Sequence, residues 1–223
     1  MKISINSLYW DNISPKIYDS HRMVMSKFDI PIKYNCSNIS HGFWMDLIMK
    51  NVVADIYVFF DIDCVPITRE AYDASLDYVI KHNTFIGNAQ VSNHIEPKNH
   101  IFAAPSFFAI SRECYYKLGA VSFIETHRSD VAEELSYVAD SMNIGYKCIY
   151  PTKFDAVSET DGIWNLANYG VYGIGTVFEN KFYHLFQSRI QKNVDLFVNR
   201  CNQIATSAFN TDGMHDSVTY NRK

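Results

Sequence analysis

The chain is 223 residues long, 48% hydrophobic and 15% aromatic, which is enough for one sizeable ordered core. Lys and Arg number 20 against 24 Asp and Glu, a formal net charge of -4. That balance excludes a general nucleic-acid or anionic-membrane binder, and it means that a negatively charged ligand needs dedicated help.

The N-terminal MKISINSLYWDN lacks the basic start, apolar core and small-residue cleavage site of a secretory signal. No stretch approaches the length of a membrane span. The five cysteines, Cys36, Cys64, Cys114, Cys148 and Cys201, are scattered and never form a CxxC. A cytoplasmic protein with no membrane span, no nucleic-acid partner and only structural thiols is expected.

Strand and helix signals alternate from the start. Lys2 to Leu8 reads as a strand, Ser14-Pro15 as a helix start leading to Phe28, and Ile30 to Tyr34 as a second strand, a βαβ beginning. Ser40 is placed to cap a helix through Lys50. Ile56 to Phe60 is too apolar to be one-sided, so it predicts a central strand covered on both faces. Thr68 is placed to cap a helix to about His82, followed by apolar stretches at Thr84 to Ala89 and Phe102 to Ile110. Asp130 to Met142 reads as another helix, and Gly145 with YKCIYP as turn and strand. From Ser158 to Gly175 the Gly, Asn, Tyr and Trp content without periodicity predicts a mobile loop with aromatic contacts. Helical spacing runs from Ser188 to about Ala205, and 206–223 is expected to fray. No repeat or linker divides the chain, so one domain over 1–223 is expected.

The stretch YVFFDIDCVPIT carries the chemical question. Asp61 and Asp63, separated by Ile62, stand at the carboxyl end of the predicted central strand, where open α/β sheets bind ligands. Two acids so close raise each other's pKa, and burial adds to the cost, so the pair either sits in water or faces a cation. A hard divalent ion held there would also let an acidic protein with no Walker sequence and no GxGxxG accept a pyrophosphate. As a bare tripeptide the pair also reads as a turn cap beside a solvated acid.

The segment SHGFWMDLIMKNVVADIYVFFDIDCVPIT resembles the core of the GT-A nucleotide-sugar glycosyltransferases, and further parts follow in the same order. NHIFAAPSFFAISRECYYKLG resembles the family's acceptor-side strand and helix, DVAEELSYVADSMNIGYKCIYP its acid-bearing helix, and FYHLFQSR its late metal-ligand histidine. The resemblance implies a single Rossmann-like α/β domain, with a mixed, mostly parallel central sheet and helices on both faces. It implies Mn²⁺ or Mg²⁺ held by Asp63 directly, by Asp61 through water or with Asp61 on the ribose instead, and by His184. Nucleotide-sugar contacts are implied for Asn6, Ser7 and Tyr9 at the end of the first strand, for Asp61, Ile62 and Asp63, and for the helix start at His41 and Gly42, whose free N–H groups favour anions.

A carboxylate base for the acceptor hydroxyl is implied among Asp130, Glu133 and Glu134; the same residues also read as a cap and a solvated face. Ser106, Asp161 and Trp164 are the candidates for the sugar and acceptor, the indole because a ring face packs on the C–H face of a pyranose. The expected activity is metal-dependent transfer of a sugar from a UDP- or GDP-sugar to a hydroxyl acceptor of a glycan. A sugar-nucleotide nucleotidyltransferase and a non-catalytic nucleotide-sugar-binding module are the alternatives.

Overall fold

The computed structural model describes residues 1–156 and 162–217. In chain order the elements are β1 (Ile3–Tyr9), α1 (Pro15–Lys27), β2 (Lys33–Cys36), α2 (His41–Asn51), β3 (Ile56–Asp61), β4 (Cys64–Pro66), α3 (Arg69–His82), β5 (Phe85–Gln90), β6 (Phe102–Ser111) and α4 (Arg112–Lys117). There follow α5 (Glu133–Ser141), β7 (Lys147–Ile149), β8 (Pro151–Asp155), β9 (Ile163–Leu166), β10 (Gly170–Gly173), β11 (Gly175–Phe178), β12 (Phe182–Leu185), α6 (Gln191–Ala205) and β13 (His215–Asp216).

The central sheet has the order β2-β1-β3-β6-β5-β7, and β6 alone runs against the other five strands. It is the mixed, mostly parallel sheet that the resemblance implies. The apolar run of β3 explains its central place, because its alternating side chains feed two cores. Tyr57 and Phe59 pack with Trp44 and Met45 of α2 and Leu135 of α5, while Val58 and Phe60 pack with Met25 of α1 and Leu76 of α3 on the opposite face. Each such side chain, fully buried, contributes about 1.5–3 kcal/mol.

A second, five-stranded sheet has the order β13-β8-β11-β12-β4. The chain crosses from one sheet to the other through Ile62 and Asp63, between the end of β3 and the start of β4. The acid pair therefore marks the junction of the two sheets.

Several expectations change. The strand expected at Ile30 to Tyr34 begins at Lys33, since Pro31 lacks the N–H that a ladder needs. Thr68 caps α3 through Ala71 N, but Ser40 and Ser14 make no side-chain cap. The helix expected from Asp130 starts at Glu133, because Ala132 enters it in the left-handed region at φ 67°. Of the loop expected over Ser158 to Gly175, Ser158 to Asp161 lie outside the described residues, and β9 and β10 form an antiparallel hairpin in the rest. Trp164 and Tyr172, opposite each other across the hairpin, pack together on Phe186. The segment expected to fray instead supplies β13, paired with β8, over its described part. All five cysteines are free, though Cys36 is exposed rather than buried.

Candidate metal centre

The register of β3 with its neighbours places the site. Leu8 of β1 pairs with Asp61, so Tyr9 emerges just past the first acid. On the other side Phe60 pairs with Phe107 of β6, which brings Ser106 to the same edge. β12 then lies antiparallel to β4 with His184 opposite Cys64, and Leu185 N donates to the Asp63 carbonyl at 2.9 Å.

Asp61, Asp63 and His184 thereby offer one ligand atom each, all within 4.8 Å of one another. His184 Nε2 lies 3.3 Å from Asp63 Oδ1 and 3.7 Å from Asp61 Oδ2, while His41 Nδ1 lies 3.3 Å from Asp61 Oδ1. Burial pushes the Asp61 carboxyl above its usual range, with Asp63 adding to the shift and the two histidines opposing it. Burial acts on Asp63 in the same sense. There the hydrogen bond and charge of His184, together with the Ser188 side chain, outweigh it and hold the carboxyl low.

Two hard carboxylate oxygens and one imidazole suit a divalent cation. The fit also has a physical motive: two partly desolvated acids at a sheet junction gain from a positive charge between them, and His184, whose buried Nδ1 has no hydrogen-bond partner among the described residues, turns Nε2 towards both acids.

Two cavities meet at this cluster. One of about 180 Å³ is lined by Tyr9, Trp10, His41, Asp61, Asp63 and Arg189. The other, of about 260 Å³, is lined by the same His41, Asp61 and Asp63, with Ser106, Asp130 and His184. The acid pair and His41 form the wall between them.

The candidates fare differently. Ile62 lines the smaller cavity and also packs into the core. Asn6 and Ser7 are buried, Asn6 donating to Ser4 Oγ at 3.0 Å, and neither lines either cavity. Residues at that depth point into the sheet's packed faces, and Tyr9 and Trp10 form the rim. Gly42 is a packing glycine, since an added Cβ would lie 2.5 Å from the Phe123 carbonyl oxygen. Ser106 accepts a hydrogen bond from Asn88 at 3.0 Å, which leaves its own proton to donate into the larger cavity.

Of the three acids, only Asp130 lines that cavity. Burial raises its pKa, against the Val131 N–H and the His94 charge. Glu133 is 2% exposed and turned away: it accepts from Ser92 Oγ at 2.5 Å and from the Asp130 N–H at 2.8 Å, and contacts His100 Nδ1 at 2.8 Å. Glu134 is tied to Arg128 on the outer side, which holds its carboxyl below the usual range. Trp164 lies one ring behind the cavity wall, stacked with Tyr172 and packed on Phe186. Asp161 lies outside the described residues.

No family model and no curated protein matches the sequence. Among solved structures, a mannosyltransferase from Pyrobaculum calidifontis in complex with GDP-Man and Mn²⁺ is similar at 11% identity and a TM-score of 0.46, over 66% of this chain and 54% of that one. The chain spans about half the length of that transferase. A 4-diphosphocytidyl-2C-methyl-D-erythritol synthase from Anaerococcus prevotii is similar at 10% identity and a TM-score of 0.44, over 67% and 88%. A CMP:2-keto-3-deoxy-manno-octonic acid synthetase complexed with CTP is similar at 10% identity and a TM-score of 0.42, over 67% and 90%. At that identity and overlap, neither substrate nor reaction passes from those proteins to this chain. The fold is a single α/β domain with a mixed, mostly parallel central sheet, and Asp61, Asp63 and His184 form a cluster able to coordinate a divalent metal. Among the described residues no helix is long and apolar enough to cross a membrane.

Sequence reading missed Trp10, Ser188 and Arg189. Arg189 carries its guanidinium 4.8 Å from the Trp10 ring in the smaller cavity. The signal was present in FYHLFQSR, but Gln187, at φ 58°, makes the turn that brings Ser188 back to Asp63, and a sequence does not show such a turn.

Proposed function

We propose that the protein is a metal-dependent glycosyltransferase, moving a sugar from a UDP- or GDP-sugar to a hydroxyl acceptor of a glycan. The observation that carries this reading is the shared wall: one metal-competent cluster with a cavity on each side, one edged by aromatic rings and a cation, the other containing the half-buried Asp130.

In this reading the smaller cavity takes the donor. Tyr9 and Trp10 offer ring faces to the base, and Arg189 offers a charged fork to the diphosphate. Asp63, Asp61 and His184 would hold Mn²⁺ or Mg²⁺, which when bound offsets the negative charge that builds on a departing diphosphate. In the larger cavity Asp130 accepts the acceptor hydroxyl's proton as that oxygen bonds to the anomeric carbon. The bond from that carbon to the diphosphate oxygen breaks, and the nucleoside diphosphate leaves with its electron pair. Ser106 donates to a hydroxyl of the bound sugar, and Phe186 and Phe102 give the same cavity an apolar side.

The test is a panel of UDP- and GDP-sugars with purified protein, with and without Mn²⁺. Metal-dependent thermal stabilisation by one donor, followed by release of nucleoside diphosphate, is the expected result. Pyrophosphate release from a nucleoside triphosphate would assign a nucleotidyltransferase instead. Donor binding without any turnover would assign a binding module.

A further inference from the structure

His41 is the first residue of α2, and its ring stands in both cavities at once. Its position is set from three sides. Gly42 is wedged against the backbone of Phe123 and Ile124, Asp46 one turn on accepts from Phe123 N at 2.9 Å, and the imidazole packs 5.5 Å from the Trp44 ring, which packs edge-on against Phe59 of β3. From that fixed place Nδ1 reaches to 3.3 Å from Asp61 Oδ1. The other ring nitrogen, Nε2, is buried with no hydrogen-bond partner among the described residues.

These facts bear on why a histidine is there. A buried, unpartnered ring nitrogen costs stability, and a phenylalanine would occupy the space without that cost. Packing therefore does not explain the residue; Nδ1 does. A bare nitrogen 3.3 Å from a carboxylate oxygen would be repelled, so Nδ1 carries the proton and the contact is an electrostatic one between the ring and Asp61.

We propose that His41 is a positioning residue of the metal centre, whose Nδ1 holds Asp61 Oδ1 at the wall between the cavities and leaves Oδ2 turned towards His184 and Asp63. This rests on the metal reading above. A carboxylate drawn to the ring through one oxygen favours one orientation, so the second oxygen meets the cation already aimed.

The experiment is direct titration of the full chain with Mn²⁺ alone, followed by the loss of the free-ion paramagnetic resonance signal, with thermal melting in parallel. Two substitutions separate packing from positioning. His41→Phe keeps the ring and removes both nitrogens: the fold is expected to melt no lower than wild type, and Mn²⁺ affinity to fall about tenfold or more, as for other outer partners of metal ligands. His41→Asn loses the ring but places an amide N–H where Nδ1 stood, and it is expected to bind Mn²⁺ within a few-fold of wild type. Unchanged affinity in His41→Phe, or a loss in His41→Asn equal to that in His41→Phe, overturns this role alone. A wild-type protein that binds no Mn²⁺ overturns the metal reading and this one with it.

Discussion

His184 Nε2 stands 3.3 Å from Asp63 Oδ1 because β12 lies antiparallel beside β4, the short strand that begins one residue after the acid. Removing either partner leaves an incomplete donor set. His184→Ala and Asp63→Ala are each expected to weaken Mn²⁺ binding by more than about tenfold, at least the loss seen for outer-shell partners. Both should abolish the metal-dependent thermal shift with donor. A shift retained in Asp63→Ala would remove the acid from the centre.

Asp130 is the acid that faces the cavity, and its raised pKa has two separate consequences. The proposed base works deprotonated, so kcat/KM is expected to rise with pH through a midpoint above the ordinary aspartate value. Asp130→Asn should lower turnover by about 10²–10⁴-fold while leaving donor binding intact. For stability the sign is the reverse of that for a salt-bridged aspartate. The folded state holds the proton more tightly, so this group costs stability as pH rises from the unfolded pKa through the folded one. Asp130→Asn is therefore expected to melt at least as high as wild type at neutral pH.

Glu133 is buried beside Asp130 and bonds its backbone N–H. Its carboxylate closes a buried set with Ser92, His100 and the Asp130 N–H, so Glu133→Ala strands several polar groups at once. A loss of roughly 3 kcal/mol in urea denaturation is expected, of the size seen when one partner of a buried pair is removed. Glu133→Gln, which keeps the shape and one acceptor, should lose less stability and retain turnover within about tenfold. A loss as large as that of Asp130→Asn, in protein that melts normally, would restore Glu133 as the base.

Arg200 of α6 binds both oxygens of Asp155 at the end of β8, at 3.2 and 2.7 Å, and its remaining arm reaches the Asn210 carbonyl at 3.0 Å. Side chains 9% and 14% exposed make this a largely buried pair, and it pins the turn that leads into β13. Arg200→Ala is expected to cost about 3–5 kcal/mol, and the double change Arg200→Met with Asp155→Leu much less. Chemical denaturation of the three variants measures it.

Much of this was legible because it is written locally. The apolar run of Ile56 to Phe60 required a strand covered twice, and two acids closing such a strand required either water or a cation. The histidine in FYHLFQSR was found by resemblance to a family and not by spacing. Where local pattern misled, a long-range contact had intervened: the packing of Trp164 and Tyr172 on Phe186, the pairing of β13 with β8, and the bond from Ala132 N to the Phe123 carbonyl at the helix entry. Among Asp130, Glu133 and Glu134 the residue type is nearly the same, and only the direction of each side chain separates cavity, core and surface.

The amino-acid order by itself determined the central strand, the α/β alternation and the acids at the strand's carboxyl end, because those follow from periodicity and from the cost of burying charge. Which groups those acids meet was decided by tertiary structure alone. Strand register put Tyr9, Ser106 and His184 around them, and the wedge at Gly42 put His41 against Asp61. Register and helix seating arise from packing between segments distant in the chain, so no local stretch encodes them.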